Sequence, residues 1–311
     1  MTADAENEPT LAQQLHAATA ALQPVTETPR VDAEILLAHA LGIPRASLLA
    51  RLNQHAQATD FQRLLERRLA FEPIAYILGE WEFFGLTLSV RPPMLVPRPE
   101  TEHLVEAVLD YATDRPCRVL EIGTGTGCVA VAVAAHAPTC QLLATDVRPD
   151  ALDLAQTNAR RHGVADNIEF REGDLFAAVG EDEPRFDVIC SNPPYVEEDA
   201  WPDLSPTIRL YEDPLALLAG KDGLDVIGTL VFEATAYLEP DGLLAFEIGM
   251  GQYDTVRHML IENNYDRVGH RTDLAGIERV AVARKPAVRA TRASKGPRHN
   301  ADSGWPSGRT A

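Results

Sequence analysis

Apolar residues recur every three or four positions through the first seventy residues. Leu11, Leu15, Ala18 and Leu22 form one stripe, and Val31, Ile35, Ala38 and Leu41 form a second, the spacing of one buried helix face. Phe61, Leu64, Leu65 and Leu69 form a third. Thr59 with Gln62 three residues on predicts a capping box at the start of that helix. Gly42, Ile43 and Pro44 end one helix and open a shorter one. The pattern predicts a small helical bundle over residues 1–73.

The period changes after Pro73. Residues 75–90 (AYILGEWEFFGLTLSV) are rich in aromatic and β-branched side chains, with Gly85 at the centre of an expected hairpin. Arg91, Pro92 and Pro93 block any regular continuation, so 74–92 reads as a β-hairpin linker between two domains. From Thr101 strands and helices alternate. Strands are expected at 118–122, 141–145, 168–171, 186–191 and 243–247. Helices are expected at 128–136, 149–161 and 224–238, followed by a closing helix and strand pair. This alternation predicts an α/β fold over 93–285, a mostly parallel sheet with helices on both faces. Ligands of such sheets sit at the carboxyl ends of the strands, and the loops after Ile122 and Ser191 both leave strands at that edge.

Composition narrows the field without naming a chemistry. Of 311 residues, 45% are hydrophobic and 24% charged, ordinary values for a globular protein. No apolar run approaches the ~18 residues that a membrane span requires, so no membrane partner is expected. The first thirty residues hold Asp4, Glu6 and Glu8 and no apolar core, unlike a secretory signal; the expected location is cytoplasmic. The net charge of −18 is uneven: from Arg284 onward seven Lys or Arg face one acid, leaving that end at +6 and the rest at −24. So acidic a body repels phosphate backbones, and no stable nucleic-acid partner is expected. Residues 286–311, basic and almost without large apolar side chains, read as a disordered tail. Cys117, Cys128, Cys140 and Cys190 form no Cys-x-x-Cys pair and lie in apolar segments, as free buried thiols do. The nine histidines are scattered, and no metal is expected.

Three segments carry chemistry. Glu121-Ile122-Gly123-Thr124-Gly125-Thr126-Gly127 is a glycine turn directly after a strand, where a ligand can approach the backbone because no Cβ intervenes. The dinucleotide fingerprint requires glycine at 128, which is Cys128, and no Lys follows to make a P-loop. Gly-x-Gly-x-Gly suits an adenosyl ligand without a pyrophosphate. Asp146 ends the next strand and can accept from both ribose hydroxyls, while Asp174 and Leu175 fall where an adenine ring would lie. Ser191-Asn192-Pro193-Pro194-Tyr195 follows a later strand. Its two prolines stiffen the loop and bring no N–H donors. The Asn192 side-chain oxygen and the Pro193 carbonyl can hold both N–H bonds of a planar amide or ring amino group, whose delocalised lone pair is a poor nucleophile. Tyr195 offers a face for a flat substrate. Glu197, Glu198 and Asp199 beyond it read as a solvated acidic face.

These residues resemble S-adenosylmethionine-dependent methyltransferases that act on a planar nitrogen, a group with nucleic-acid adenine-N6 and guanine-N2 enzymes and protein glutamine-N5 enzymes. Residues 73–76 (PIAY), 79–85 (GEWEFFG) and 96–102 (VPRPETE) are similar to the bacterial peptide chain release factor N5-glutamine methyltransferases, the HemK/PrmC type. The resemblance runs from about Leu11 to Arg284. It implies a Rossmann-like class I methyltransferase sheet behind a helical substrate-docking domain. It also implies S-adenosyl-L-methionine as cofactor and release factors 1 and 2 as protein substrates. On this resemblance Asn192, Pro193 and Tyr195 are catalytic, and Asn192, Pro193, Pro194 and Tyr195 hold the substrate. Gly123, Thr124, Gly125, Thr126, Gly127, Asp146, Asp174, Leu175 and Asn192 hold the cofactor. The sequence departs at Leu175, where the family commonly has a bulky aromatic, and after Tyr211, where Glu212-Asp213-Pro214 puts the proline one place late. Three alternatives stand beside this reading: a ribosomal-protein glutamine methyltransferase, a nucleic-acid amino-methyltransferase, and a non-catalytic module with a vestigial pocket.

Overall fold

The structure, a computed structural model, describes residues 8–287 apart from 57, 114 and 181. The expectation for the basic tail falls, from residue 288 on, outside the described residues.

Helices α1 (Leu11–Leu22), α2 (Pro29–Ala40), α3 (Arg45–Leu49), α4 (Phe61–Leu69) and α5 (Ile74–Leu78) form the N-terminal bundle. The first and third stripes read from the sequence supply much of its core, with Leu11, Leu15, Leu22, Phe61 and Leu64 in one cluster. On α2 the buried face is Ala33, Leu36, Leu37 and Ala38; of the expected stripe's other residues, Ile35 and Leu41 only flank the cluster and Val31 stays outside it. The capping box lies elsewhere than expected. Thr10 and Gln13 form it at α1, whereas α4 has Asp60 at its N-cap position and no side-chain cap. Asp60 is already in the right-handed helical region, so Thr59 stands one residue too early to cap. The hairpin is shorter than the aromatic-rich segment: β1 (Glu80–Phe83) pairs antiparallel with β2 (Leu86–Ser89). Residues 74–78 are helix instead, and Ile74 and Ile77 join the bundle core. Gly79, at φ +78°, ends α5 and turns the chain into β1.

The remaining elements are α6 (Glu102–Ala112), β3 (Arg118–Ile122), α7 (Cys128–His136), β4 (Gln141–Asp146), α8 (Pro149–Arg161), β5 (Ile168–Glu172), β6 (Phe186–Ser191), α9 (Pro206–Tyr211), α10 (Asp225–Tyr237), β7 (Leu238–Glu247), α11 (Tyr253–Glu262), β8 (Asp266–Thr272) and β9 (Glu278–Arg284). Strand order is β5-β4-β3-β6-β7-β9-β8. The first five strands run parallel, and β9 and β8 are antiparallel additions. Alternation along each strand sends Val119, Val188 and Ala245 to the face under α6 and α7. Leu120, Ile189 and Leu244 go to the face under α10 and α11. Helix α7 is apolar nearly all round, and residues 129–134 are all buried. β7 begins five residues earlier than expected, with a register shift where it meets β6.

The order in which strands are added reverses between the parallel neighbours β3 and β6: from β3 the chain builds outward through β4 and β5, and from β6 through β7 on the other side. A crevice opens there at the carboxyl ends. The hairpin rests on α8: Ser89 N–H donates to Asn158 Oδ1 at 2.7 Å, and Asn158 Nδ2 donates back to the Ser89 carbonyl at 3.0 Å. The bundle is fastened to the sheet unit by Tyr211 OH donating to the Ala70 carbonyl at 3.0 Å, and by Tyr76 OH donating to the Met94 carbonyl.

Candidate active site

The glycine turn between β3 and α7 uses three left-handed residues, Gly123 (φ +74°), Gly125 (φ +54°) and Gly127 (φ +79°). Their surroundings differ. A Cβ on Gly123 or Gly125 would meet nothing within 4 Å, whereas one on Gly127 would lie 2.8 Å from Ala155 Cβ. The first two therefore face open space, and the third lets α7 pack against α8. Gly123 N–H and Thr124 N–H both donate to the Thr145 carbonyl at 2.9 Å, and Asn158 Nδ2 donates to the Thr126 carbonyl at 2.8 Å.

Asp146, at the end of β4, accepts from Gly125 N–H at 2.8 Å and from Arg148 N–H at 2.9 Å. Burial raises its pKa, and the two backbone donors and the Arg148 charge oppose the rise. Next to it, Gly173 N–H donates to the Asp146 carbonyl at 3.0 Å, which brings Asp174 and Leu175 alongside. Leu175 sits at φ +48°, a conformation uncommon for a residue with a side chain.

A cavity of about 530 Å³ fills the crevice. Gly123, Thr124, Gly125, Thr126, Asp146, Asp174, Leu175, Asn192, Pro193 and Pro194 all line it, although they come from three separate loops and the end of β4. Gly127 and Tyr195 do not. Gly127 packs on α8, and Tyr195 points its hydroxyl at Glu247 Oε1, 2.9 Å away. The Tyr195 loop is pinned by its own backbone, since Tyr195 N–H and Val196 N–H both donate to the Leu217 carbonyl, at 3.1 and 2.7 Å. Glu197, Glu198 and Asp199 are exposed.

Several polar residues around the cavity escaped the sequence reading. Glu121, 2% exposed, accepts from Thr124 Oγ1 at 2.6 Å, and burial pushes its pKa up to about 8. Asn192 Nδ2 donates to Thr101 Oγ1 at 3.1 Å, and Thr101 Oγ1 donates to Glu247 Oε2 at 2.6 Å. Burial raises the pKa of Glu247; the two hydroxyl donors and Arg279 oppose this, and Glu100 adds to it. Arg98 Nη2 donates to both oxygens of the buried Glu212, at 2.8 and 2.6 Å. Arg98 and Thr101 lie in the 96–102 stretch already singled out, and two other residues, buried and polar, left a trace in the sequence. Glu247 is a charge closing an otherwise apolar strand end, and Asn158 stands on the apolar face of α8 with Ala151, Leu154 and Ala155.

The PrmC N-terminal domain family matches residues 13–79, and the methyltransferase small domain family matches residues 100–207. A release factor glutamine methyltransferase of Xylella fastidiosa is 43% identical over 264 residues, covering 83% of this chain and 94% of that protein. One from Vibrio cholerae serotype O1 is 40% identical over 277 residues, covering 88% and 96%. The chain belongs to the release factor glutamine methyltransferase family. A methyltransferase structure from Pyrococcus furiosus shares the fold, with a TM-score of 0.50 at 22% identity over 66% of this chain and 91% of that one. In this chain the glycine turn at 123–126 and the Asn192-Pro193-Pro194 stretch are two edges of a single cavity.

Among the described residues, no helix is long and apolar enough to cross a membrane. No group of three or more His, Cys, Asp or Glu among them is arranged to hold a metal.

Proposed function

We infer that the protein methylates the side-chain amide nitrogen (N5) of the glutamine in the Gly-Gly-Gln loop of peptide chain release factors 1 and 2, tuning translation termination in the cytoplasm. S-adenosyl-L-methionine is the methyl donor, supplying a methyl group on a cationic sulfur. The observation that carries this reading is the juxtaposition of two free acceptors with the glycine-walled cavity. Among the described residues nothing donates to the Pro193 carbonyl or to Asn192 Oδ1, and both residues line the same cavity as Gly123 and Gly125.

The cavity suits the cofactor on its own features. Gly123 and Gly125 leave room where side chains would intrude, Asp146 offers a carboxylate for the ribose hydroxyls, and Asp174 and Leu175 offer an acceptor and an apolar face for the adenine. Gly127 supports the turn from behind. Asn192 and Pro193 would take the two N–H groups of the substrate amide and direct its nitrogen lone pair into the cavity. Those hydrogen bonds strengthen as the nitrogen turns positive, which is stabilisation specific to the transition state. Pro194 walls the pocket, and Tyr195 supports the loop. The bundle, which α5 extends to Leu78, is assigned to docking the release factor. Residues 79–92 are the linker, 93–285 the catalytic unit, and 286–311 a tail outside the chemistry.

Amino-methylation of a nucleic-acid base would use the same acceptors, but the −24 charge ahead of Arg284 opposes a phosphate-rich partner. A methyl-transfer assay with labelled cofactor on release factor, ribosomal protein and RNA separates the readings. Label is expected in the release factor glutamine. Asn192→Ala should lower kcat by roughly 10²–10³, as loss of one preorganised hydrogen-bonding group does. Labelling of RNA or ribosomal protein alone would overturn the assignment.

A further inference from the structure

The oxygen and nitrogen of an amide side chain have nearly the same shape, so only hydrogen bonding decides which end faces the cavity. The choice matters at Asn192. With Oδ1 inward the site accepts N–H groups; with Nδ2 inward it would accept carbonyls or carboxylates instead.

The direction is set by a chain of donors running away from the cavity. Glu247 is 1% exposed and receives two hydroxyls, Thr101 on Oε2 at 2.6 Å and Tyr195 on Oε1 at 2.9 Å. A carboxylate taking a donor on each oxygen is acting as an acceptor only. A hydroxyl has one proton, and Thr101 gives its proton to Glu247. What remains on Thr101 Oγ1 is lone pairs, so Asn192 can only offer its NH₂ there, at 3.1 Å. The reversed amide would set Oδ1 against those lone pairs and lose the bond. Asn192 Oδ1 is thereby left toward the cavity.

We propose that Glu247 and Thr101 are positioning residues that lock the Asn192 amide with its oxygen toward the substrate, so that the site selects a side-chain amide over a carboxylate. Tyr195 holds the second oxygen of Glu247 and keeps the carboxylate in place. A glutamate in the substrate position would put its oxygens against two acceptors, Asn192 Oδ1 and the Pro193 carbonyl, and be rejected. The proposal rests on the methylation reading for its catalytic consequence but not for the amide orientation itself.

The test compares Thr101→Val, which keeps the shape and removes the hydroxyl, with Thr101→Ser, which restores it. Glu247→Gln, isosteric and neutral, covers the case in which Thr101→Val folds poorly. It makes the direction a choice rather than a necessity, because the amide can present either end to Thr101, and its NH₂ there would free the hydroxyl proton for Asn192 Oδ1. Four quantities are read: kcat and KM on release factor, cofactor affinity by calorimetry, and exchange of the Asn192 Nδ2 protons by ¹⁵N NMR, assigned with Asn192→Asp. Thr101→Val and Glu247→Gln should lower kcat by about 10- to 100-fold, the scale of a misplaced catalytic contact. Cofactor affinity should be nearly unchanged, Thr101→Ser should recover most of kcat, and the Asn192 protons should lose protection in Thr101→Val. Wild-type kcat in a folded Thr101→Val, a Thr101→Ser as impaired as Thr101→Val, or undiminished protection of the Asn192 protons in Thr101→Val would overturn it. If the wild-type protein fails to methylate release factor, the functional reading fails, and the NMR comparison still decides the orientation.

Discussion

The glycines of the turn make equal demands on backbone angle and unequal demands on space, so alanine at two of them should separate packing from ligand access. At Gly127 (φ +79°) an alanine carries roughly 1–2 kcal/mol of left-handed strain. Its Cβ would stand 2.8 Å from Ala155 Cβ and 2.9 Å from Ala155 Cα. The latter is backbone of α8 and cannot swing aside, so overpacking adds roughly 1–3 kcal/mol. A stiffer unfolded chain returns about 0.4–1 kcal/mol, leaving a net loss of roughly 1–4.5 kcal/mol. Gly125→Ala has the strain (φ +54°) and no steric contact, so its net loss is roughly 0–1.5 kcal/mol by the same terms. Its methyl enters the cavity, however, and crowding a ligand by one methyl group costs about 1–3 kcal/mol, some 5- to 150-fold in affinity. Urea unfolding read by circular dichroism, with calorimetric titration of S-adenosylmethionine on each folded variant, measures both quantities. Gly127→Ala should be the larger stability defect and Gly125→Ala the larger binding defect relative to its stability loss. Equal stability losses, or wild-type affinity in Gly125→Ala, would refute the division of roles.

Asp146→Ala should weaken cofactor binding by roughly 1.5–3 kcal/mol, the scale of hydrogen bonds to a charged group; unchanged affinity in calorimetry would remove the ribose assignment. Glu121→Gln should change stability with pH. In the folded chain the carboxyl titrates at about 8 against a reference of 4.5, so below the lower value both states are protonated and nothing is lost. Between the two only the unfolded chain ionises, and wild-type stability falls as pH rises, levelling off above about 8. Glutamine escapes this, so its advantage should be absent at pH 4 and grow to a few kcal/mol, about 1.4 per pH unit, by pH 8. An equal difference at pH 5 and pH 8 in ligand-free urea melts would contradict it.

The sequence alone determined the central strands and helices of the sheet unit and two loops, but not α5, α6 or α9. Strand and helix periods are local properties, so β3, α7, α8 and β6 stand at the expected residues. Glycine and proline restrict or free their own backbone, so the turn at 123–127 and the loop at 192–195 were legible without neighbours. Only the tertiary structure decided what those loops meet. Thr101 and Glu247 are 146 positions apart, Arg98 and Glu212 are 114 apart, and Ser89 and Asn158 are 69 apart. No periodic pattern links such pairs. Gly127 looked like its two neighbours until α8 was seen against it, and Tyr195 looked like a cavity wall until its hydroxyl was found on Glu247. The physical reason is common to all of these. A buried polar group must find a partner wherever the fold brings one, and the room beside a Cβ is set by the element packed against it; neither is a property of the residue's own stretch of chain.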